Sequence, residues 1–377
     1  MMLYLDHAAT TTMRPEALAA LNDGYERFDR NASGLHEDSR RAKNALEEAR
    51  ERAAGLIGVG NPQGIVFTGS GTEADNLAVM GGVLASGRDT VVMSAIEHKA
   101  VLNTARALKR FGFHVREIPV TSTGVLCLPL DNLAIDDRVG IVSIMVANNE
   151  IGTIQPVAEA AALIRDLDPD ALIHTDAVQA FNSQDVTLDS TGADLVSLAS
   201  HKVGGPKGVG LLALRSGVRI DPVIHGGGQE AGRRAGTYNV AGIVAMVAAM
   251  EAAAADRQGF VERTGAERDA FESAVVAGFS GARATGARVP RVPHISHVRF
   301  PGVLAETLLI RLDQAGIAAS AGSACQSGAV EPSHVLTSLG FTDTESAECI
   351  RFSFGWDTPQ GEGWRAARAV LEVLGQI

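Results

Sequence analysis

Only five of the 33 basic residues are lysines: Lys43, Lys99, Lys109, Lys202 and Lys207. Lys202 and Lys207 sit in "SHKVGGPKGVG", directly after an apolar run, where glycines permit tight turns and close approach of a ligand to the backbone. An amine placed there forms a Schiff base with a carbonyl compound once desolvation lowers its pKa. Left in water it is an ordinary loop lysine, the commoner fate of the residue. Four other stretches offer related chemistry. "FTGSGTEADN" (67–76) reads as a strand, a Gly-rich turn and a helix, and amides at a helix N-terminus suit a phosphate. Thr72 with Asp75 three residues later equally resembles a helix-capping pair. "HTDAVQA" (174–180) leaves Asp176 at the end of an apolar run, where a buried carboxylate needs a partner such as a cationic ring nitrogen. "SAIEHKAV" delivers His98 just past another run, to stack, move a proton or cap a helix. "MVANNEIGT" brings the amides of Asn148 and Asn149 to a third.

A thiol stands apart from these groups. Cys325 lies in "ASAGSACQSG" (319–328), among Ala, Ser and Gly that give little apolar cover, and exposure favours a reactive thiol. Cys127 and Cys349 have apolar neighbours, in "GVLCLPL" and "AECIRF", and read as structural. Three scattered cysteines do not make a disulfide framework.

What must position the polar groups is a parallel sheet. "GIVFT" (64–68), "DTVVMSA" (89–95), "HVREIPV" (114–120), "GIVSIMVA" (140–147), "ALIHTDAV" (171–178) and "DLVSLAS" (194–200) read as strands, several apolar without alternation as in strands covered on both faces. "TEADNLAVMGGVLAS", "HKAVLNTARALKRFG" and "VAEAAALIRDLD" between them carry helical spacing. The phosphate-type turn, His98, Asn149, Asp176 and Lys202 then all fall at carboxyl ends of strands, where a doubly wound α/β fold gathers its site. A long helical stretch (240–279) and a Gly/Pro/Arg-rich connector, "GARATGARVPRVPH", lead to "ISHVRF", "LAETLLIRLDQAG" and "CIRFSFG", a smaller α+β unit. The expected division is a large domain over 1–255 and a small one over 256–377, with the first 30 residues packing on the latter. Apolar residues at 46% supply a sizeable core, and a net charge of -11 argues against holding nucleic acid by the overall field. The longest apolar run, "VAGIVAMVAAM", is about half the ~20 residues that span a bilayer. A soluble cytoplasmic protein is expected.

The combination "YLDHAATT", "NASGLH", "TGSGTEADNLAV", "EHKAVL", "ANNEIGTIQP", "HTDAVQ", "SHKVGGPKGVG", "HGGGQEAGRRAGT", "SAGSACQSG", "EPSHVL" and "IRFSFG" covers nearly the whole chain and resembles the cysteine desulfurases. These are class V members of the fold-type I pyridoxal 5'-phosphate (PLP) enzymes. The resemblance implies a homodimer that takes sulfur from L-cysteine, releases alanine, and holds the sulfur as a persulfide on Cys325. It implies that Lys202 is the Schiff-base lysine and that Asp176 pairs with the pyridine nitrogen, keeping the ring an electron sink. Gln179 and Asn149 then contact the ring hydroxyl and orient ring or substrate, and His98 stacks on the ring and serves in acid–base steps. Thr72, the Gly71 backbone and His201 meet the phosphate, and Thr237 reaches it from the other subunit. Arg351 clamps the substrate carboxylate, a role suited to its bidentate fork. Many relatives carry a phosphate-binding serine where this chain has Ala199; Ser200 beside it is the candidate replacement.

The segment from "SAGSACQSG" to "EPSHVL" is long, as in the family group with a mobile cysteine loop. That group hands sulfur to acceptor proteins for iron–sulfur assembly, tRNA thiolation or DNA phosphorothioation. The segment after Arg351 is shorter than in relatives whose tail docks an iron–sulfur scaffold. Other readings fit parts of the sequence. A selenocysteine lyase or an aminotransferase would share this fold. A metal-dependent hydrolase on His294, His297, His174 and His225 lacks an HExxH helix, and the i, i+3 spacing of "HISH" puts its rings on opposite faces of a strand. A non-catalytic sulfur-binding protein would not need Lys202, Asp176 and Arg351 together.

Overall fold

In the computed structural model, which describes residues 2–129, 135–321 and 332–376, the predicted apolar runs become strands in order. Strand β1 (Leu3–Tyr4) stands apart from the main sheet. Strands β2 (Ile65–Thr68), β3 (Thr90–Ser94), β4 (His114–Ile118), β5 (Val139–Ser143), β6 (Leu172–Asp176), β7 (Leu195–Ala199) and β8 (Gly210–Leu214) form a seven-stranded sheet of order β2-β8-β7-β6-β5-β3-β4. Neighbours from β4 to β7 pair in parallel, and β8 runs antiparallel between β7 and β2. The fold is the mostly parallel, doubly wound α/β architecture that the sequence predicts. Strand β8 has no counterpart among the predicted strands. It follows the Lys202 loop directly, a connection short enough only for an antiparallel return.

Burial explains the composition of these strands. β2, β3, β5, β7 and β8 bury every residue. Along β8, Leu211 and Ala213 face one core and Leu212 and Leu214 the other, the two-residue period of a strand covered twice. The first core takes in helices Glu37–Ile57, Val157–Leu167 and Val240–Ala255; the second takes in Gly71–Asn76 and Lys99–Leu108. Edge strand β4 instead exposes His114 and Glu117, polar groups that discourage pairing with another chain.

The long helical stretch is two helices, Val240–Ala255 and Arg257–Gly278, meeting at Asp256. The second contributes Phe271 and Val275 to a separate core. There β10 (Ile295–Arg299) runs antiparallel between β9 (Arg283–Ala284) and β12 (Cys349–Ser353), while β11 (Ile317–Ala318) pairs in parallel with β1. Phe271 packs its ring 4.7 Å from that of Phe352, and Leu5 joins the same cluster. The chain's first strand is thereby tied to residues more than 300 positions away, which brings the segment after it across the carboxyl ends of the main sheet. No described helix is long and apolar enough to cross a membrane.

Candidate active site

The carboxyl ends of β3, β5, β6 and β7 open into a cavity of about 420 Å³. Gly71, Thr72, His98, Asn149, Asp176, Gln179, His201, Lys202 and Arg351 all line it, so nine of the residues singled out from the sequence converge on one space. Three do not. Thr237 is exposed on a loop away from this wall. Ser200 is buried with its Oγ unpartnered and lodged beside Gly205, within 2.2 Å of where a side chain there would begin. Ser200 is not among the residues that line the cavity, and its hydroxyl lies against Gly205 instead. Cys325 lies outside the described residues.

Lys202 ends a short 3-10 turn after β7 and donates through Nζ to the carbonyls of Ala8 and, at 2.7 Å, Ala9. Burial, reinforced by the Arg351 charge, pushes its amine down to about 7, so a large fraction is the neutral nucleophile near neutral pH. Asp176 closes β6 and accepts from the Val178 amide at 2.8 Å. Burial raises its carboxyl to about 6, while that amide and Lys202 pull the other way. A cationic ring nitrogen beside Asp176 would restore the charge partner that burial removes. His98 both caps helix Lys99–Leu108, its Nδ1 accepting from Ala100 at 3.2 Å, and faces the cavity. Burial and the Lys202 charge hold it down to about 4, so it is a neutral imidazole. His201 is likewise pushed down to about 4, mainly by burial, and its Nδ1 pairs with Thr10 at 3.2 Å.

The capping pair proposed for Thr72 and Asp75 is not formed. Ser70 is the N-cap, accepting from Glu73 at 3.1 Å, and the Glu73 carboxylate reaches back to the Gly69 amide at 2.8 Å. Starting two residues earlier than expected, the helix turns Thr72 to the cavity and buries Asp75. A side chain at Gly71 would meet Ala199 at 2.9 Å. Glycine and alanine at these two positions thus let the turn sit on the end of β7, which accounts for the small residue at 199. The amides of this first turn have no partner within the helix and point outward from its start.

Sequence reasoning missed the N-terminal segment that follows β1. Ala8 accepts from Lys202 and, at 2.8 Å, from Gln179 Nε2, and Asp6 binds Arg351 at 2.9 Å. Tyr4 donates to the Thr10 carbonyl at 2.8 Å, closing the loop that carries these groups. Arg351 sits in β12, 3% exposed, and its second donor reaches the Asn149 carbonyl at 2.8 Å, while Nε keeps no partner. His334 also faces the cavity, its Nε2 2.9 Å from the Glu97 carbonyl. Backbone carbonyls carry no signature of residue type, so only "YLDHAATT" as a motif pointed to this segment.

The loop bearing Thr237 is held in strain. Glu230 and Ala231 take left-handed φ of 50° and 55°, each costing on the order of 1 kcal/mol or more. A buried Arg50–Glu230 pair at 2.6 Å and a Tyr238 hydroxyl on the Glu230 amide at 2.8 Å oppose that cost. The four histidines considered for a hydrolase are spread out. His297 pairs with Thr285 at 2.9 Å and His174 with Ser143 at 2.9 Å. Among the described residues the one trio close enough to share an ion is Asp75, His98 and Asp176, in the cavity itself.

This arrangement has known counterparts. The aminotransferase class-V family model matches residues 3–362. A cysteine desulfurase IscS of Dictyoglomus turgidum is 39% identical over this entire chain and 94% of its own. The cysteine desulfurase NifS of Azotobacter vinelandii is 37% identical, over 100% of this chain and 93% of its own. Among solved structures, a NifS-like protein superposes with a TM-score of 0.91 at 33% identity over the full length of both chains. DndA from Streptomyces lividans gives 0.76 at 32% identity, covering 93% of this chain and 99% of its own. The chain belongs to the aminotransferase class-V family of PLP-dependent enzymes. Within that family it groups with the cysteine desulfurases of the IscS and NifS kind.

Proposed function

We propose that this chain is a PLP-dependent cysteine desulfurase that converts L-cysteine to L-alanine and passes the sulfur through Cys325 to an acceptor protein. The observation that carries the proposal is one cavity in which a desolvated amine (Lys202), a buried carboxylate (Asp176) and a buried guanidinium (Arg351) converge. The donor set suits PLP: an amine for the aldehyde, a carboxylate for the ring nitrogen, and first-turn amides with Thr72 and His201 for the phosphate. When bound, the cofactor supplies an electron sink for the substrate carbon. The protein's residues do the rest. Asp176 would hold the ring-nitrogen proton, Gln179 and Asn149 would bind the ring's edge, and His98 would lie against the ring. The Lys202 amine would serve as the base that moves the Cα proton. Arg351 orients the substrate through its carboxylate. The sulfur then transfers when the Cys325 thiolate bonds to the substrate sulfur as the Cβ–S bond breaks, its electron pair remaining with the carbon that leaves as alanine.

Thr237 suits a contact to the phosphate of a second copy, since the Arg50–Glu230 pair holds its exposed loop in one shape. We take 1–255 and 256–377 as the two domains of each subunit in a cytoplasmic homodimer. The sulfur acceptor is a protein of iron–sulfur assembly, tRNA thiolation or DNA phosphorothioation. Purified protein loaded with PLP is expected to yield alanine and, with a reductant, sulfide in equal amounts from L-cysteine. Amino transfer to a keto acid without sulfide would replace the proposal with an aminotransferase, and strict preference for selenocysteine with a selenocysteine lyase.

Arg351→Lys is expected to raise KM for L-cysteine about 10- to 100-fold with a smaller change in kcat, since an ammonium cannot reproduce the fork. An unchanged KM in steady-state kinetics would remove Arg351 from carboxylate binding. Asp6 makes the direction of this effect specific. Asp6 and the Asn149 carbonyl each take one terminal nitrogen of the guanidinium, and an incoming carboxylate would compete with them and engage Nε, which has no partner among the described residues.

A further inference from the structure

From Asp75 on the cavity wall a second polar layer runs inward that the reaction chemistry above does not use. Asp75, on helix Gly71–Asn76, is 1% exposed, and its Oδ1 has no hydrogen-bond partner among the described residues. His174 Nε2, on β6, stands 3.6 Å from that oxygen. The imidazole is pinned by two hydroxyls, Ser143 on Nδ1 and Ser197 on Nε2, each at 2.9 Å. Ser143 lies 3.4 Å from Glu97 Oε2, whose other oxygen accepts the Met145 amide at 2.6 Å. The layer thus runs Glu97, Ser143, His174, Asp75 across the ends of β5 and β6 and stops beside Asp176. Side-chain ligand atoms of Asp75, Asp176 and His98 all lie within 4.8 Å of one another.

The charges facing this layer do not balance if every carboxyl ionises. Asp75, Glu97 and Asp176 are all buried. His174 comes from β6, His98 from the cap of helix Lys99–Leu108, and Lys202 from the loop after β7. Burial keeps both imidazoles neutral. Lys202 is then the one facing cation, and it acts on Asp176 but not on Asp75 or Glu97. Adjacent carboxyls in a dry site cannot all carry charge; burial and the Asp176 charge raise Glu97 to about 8 despite the amide and hydroxyl on it, and against its burial Asp75 has the Ser197 hydroxyl. Burial and the neighbouring Asp176 charge raise the Asp75 carboxyl well above its usual range.

We propose that Asp75 is a positioning residue held as a neutral acid, so that of these two neighbouring carboxyls Asp176 is the one that ionises against the cofactor's ring nitrogen. Uncharged, Asp75 fills the space beside Asp176 without repelling its charge. Ionised, it would drive Asp176 toward its protonated form and leave the ring nitrogen without its counter-charge. The consequence for the ring rests on the proposed PLP chemistry; the protonation of Asp75 does not.

The test therefore begins on protein without cofactor. At neutral pH the infrared spectrum is expected to contain protonated-carboxyl C=O absorption from both Asp75 and Glu97, whose carboxyl burial raises to about 8; Asp75→Asn is expected to remove one component and Glu97→Gln the other. On loaded protein, Asp75→Asn exchanges one neutral group for another and is expected to keep the pH midpoint of the cofactor's visible absorbance within about 0.3 unit. A midpoint moved by about one unit or more, the effect of deleting a charge beside Asp176, would overturn the proposal, as would an acid band indifferent to Asp75→Asn. Should that variant not fold, wild-type protein with isotope-labelled aspartate serves in its place. At about pH 8, where Asp176 is ionised, one aspartate carboxyl carbon is expected at the neutral-acid shift, and its absence overturns the proposal. Protein that retains the acid band but releases no sulfur would count against the desulfurase reading alone.

Discussion

Replacing Lys202 by alanine is expected to lower sulfur release from L-cysteine by on the order of a thousand-fold or more and to abolish the visible absorbance of bound PLP. Lys202 is the amine enclosed by the cavity, fixed by the Ala8 and Ala9 carbonyls and displaced from its ordinary pKa by burial. Lys99 also borders the cavity but is exposed, as is Lys207; Lys99→Ala and Lys207→Ala are expected to keep the absorbance. The pH dependence of cofactor capture separates the same alternatives in wild-type protein. The neutral amine is the nucleophile, so capture by the Lys202 amine should rise as pH increases through about 7 and then level off. An exposed lysine would keep gaining reactivity up to its unperturbed value of ~10.4. Appearance of the absorbance, followed at a series of pH values, distinguishes the two curves. A midpoint near ~10 would mean that Lys202 is not desolvated.

The contrast between Lys202 and the Asp6–Ala9 segment indicates what a sequence can reveal about such a site. Lys202, Asp176, His98 and Asn149 were legible because each follows a strand whose apolar run is unmistakable, and parallel strands present their carboxyl ends together. Arg351 was legible only through the resemblance. It lies in a different sheet, and nothing in its spacing relates it to Lys202, whose pKa it lowers. The groups on Lys202 are backbone carbonyls, which any residue supplies, so the role of Ala8 and Ala9 has no compositional trace. Asp75 was misplaced for a local reason. In "GSGT" either hydroxyl can cap the helix, and choosing Ser70 over Thr72 turns Asp75 from a capping partner into a buried acid. Ser200, one step along the turn after β7, is buried against Gly205 and does not line the cavity. Strand β8 was overlooked where "GLLAL" follows the glycine-rich loop, since a run of five apolar residues carries no period of its own.

If Cys325 carries the sulfur as proposed, replacing it by alanine is expected to reduce sulfur release at least as severely as loss of Lys202 while leaving the visible absorbance intact, since in the proposed mechanism the thiol has no part in holding PLP. The other cysteines are poor substitutes. Cys349 is buried in β12, its thiol directed at the Glu345 carbonyl at 3.2 Å and pushed up to about 12 by burial; a thiol so rarely ionised is a weak nucleophile. Cys127 is half-buried and does not line the cavity. Cys325 follows by five positions Ser320, which borders the cavity and pairs backbone to backbone with Arg351 at 2.7 and 3.1 Å. Five residues of chain span at most about 18 Å, a length compatible with the proposed attack on a substrate held by Arg351. Cys349→Ala and Cys127→Ala are therefore expected to leave sulfur release largely unchanged. Mass spectrometry after incubation with L-cysteine should find the added sulfur on the peptide containing Cys325 and not on the other two. Undiminished alanine and sulfide production by Cys325→Ala would take the thiol out of the reaction, making the chain a lyase that works through Lys202 and the cofactor without a persulfide.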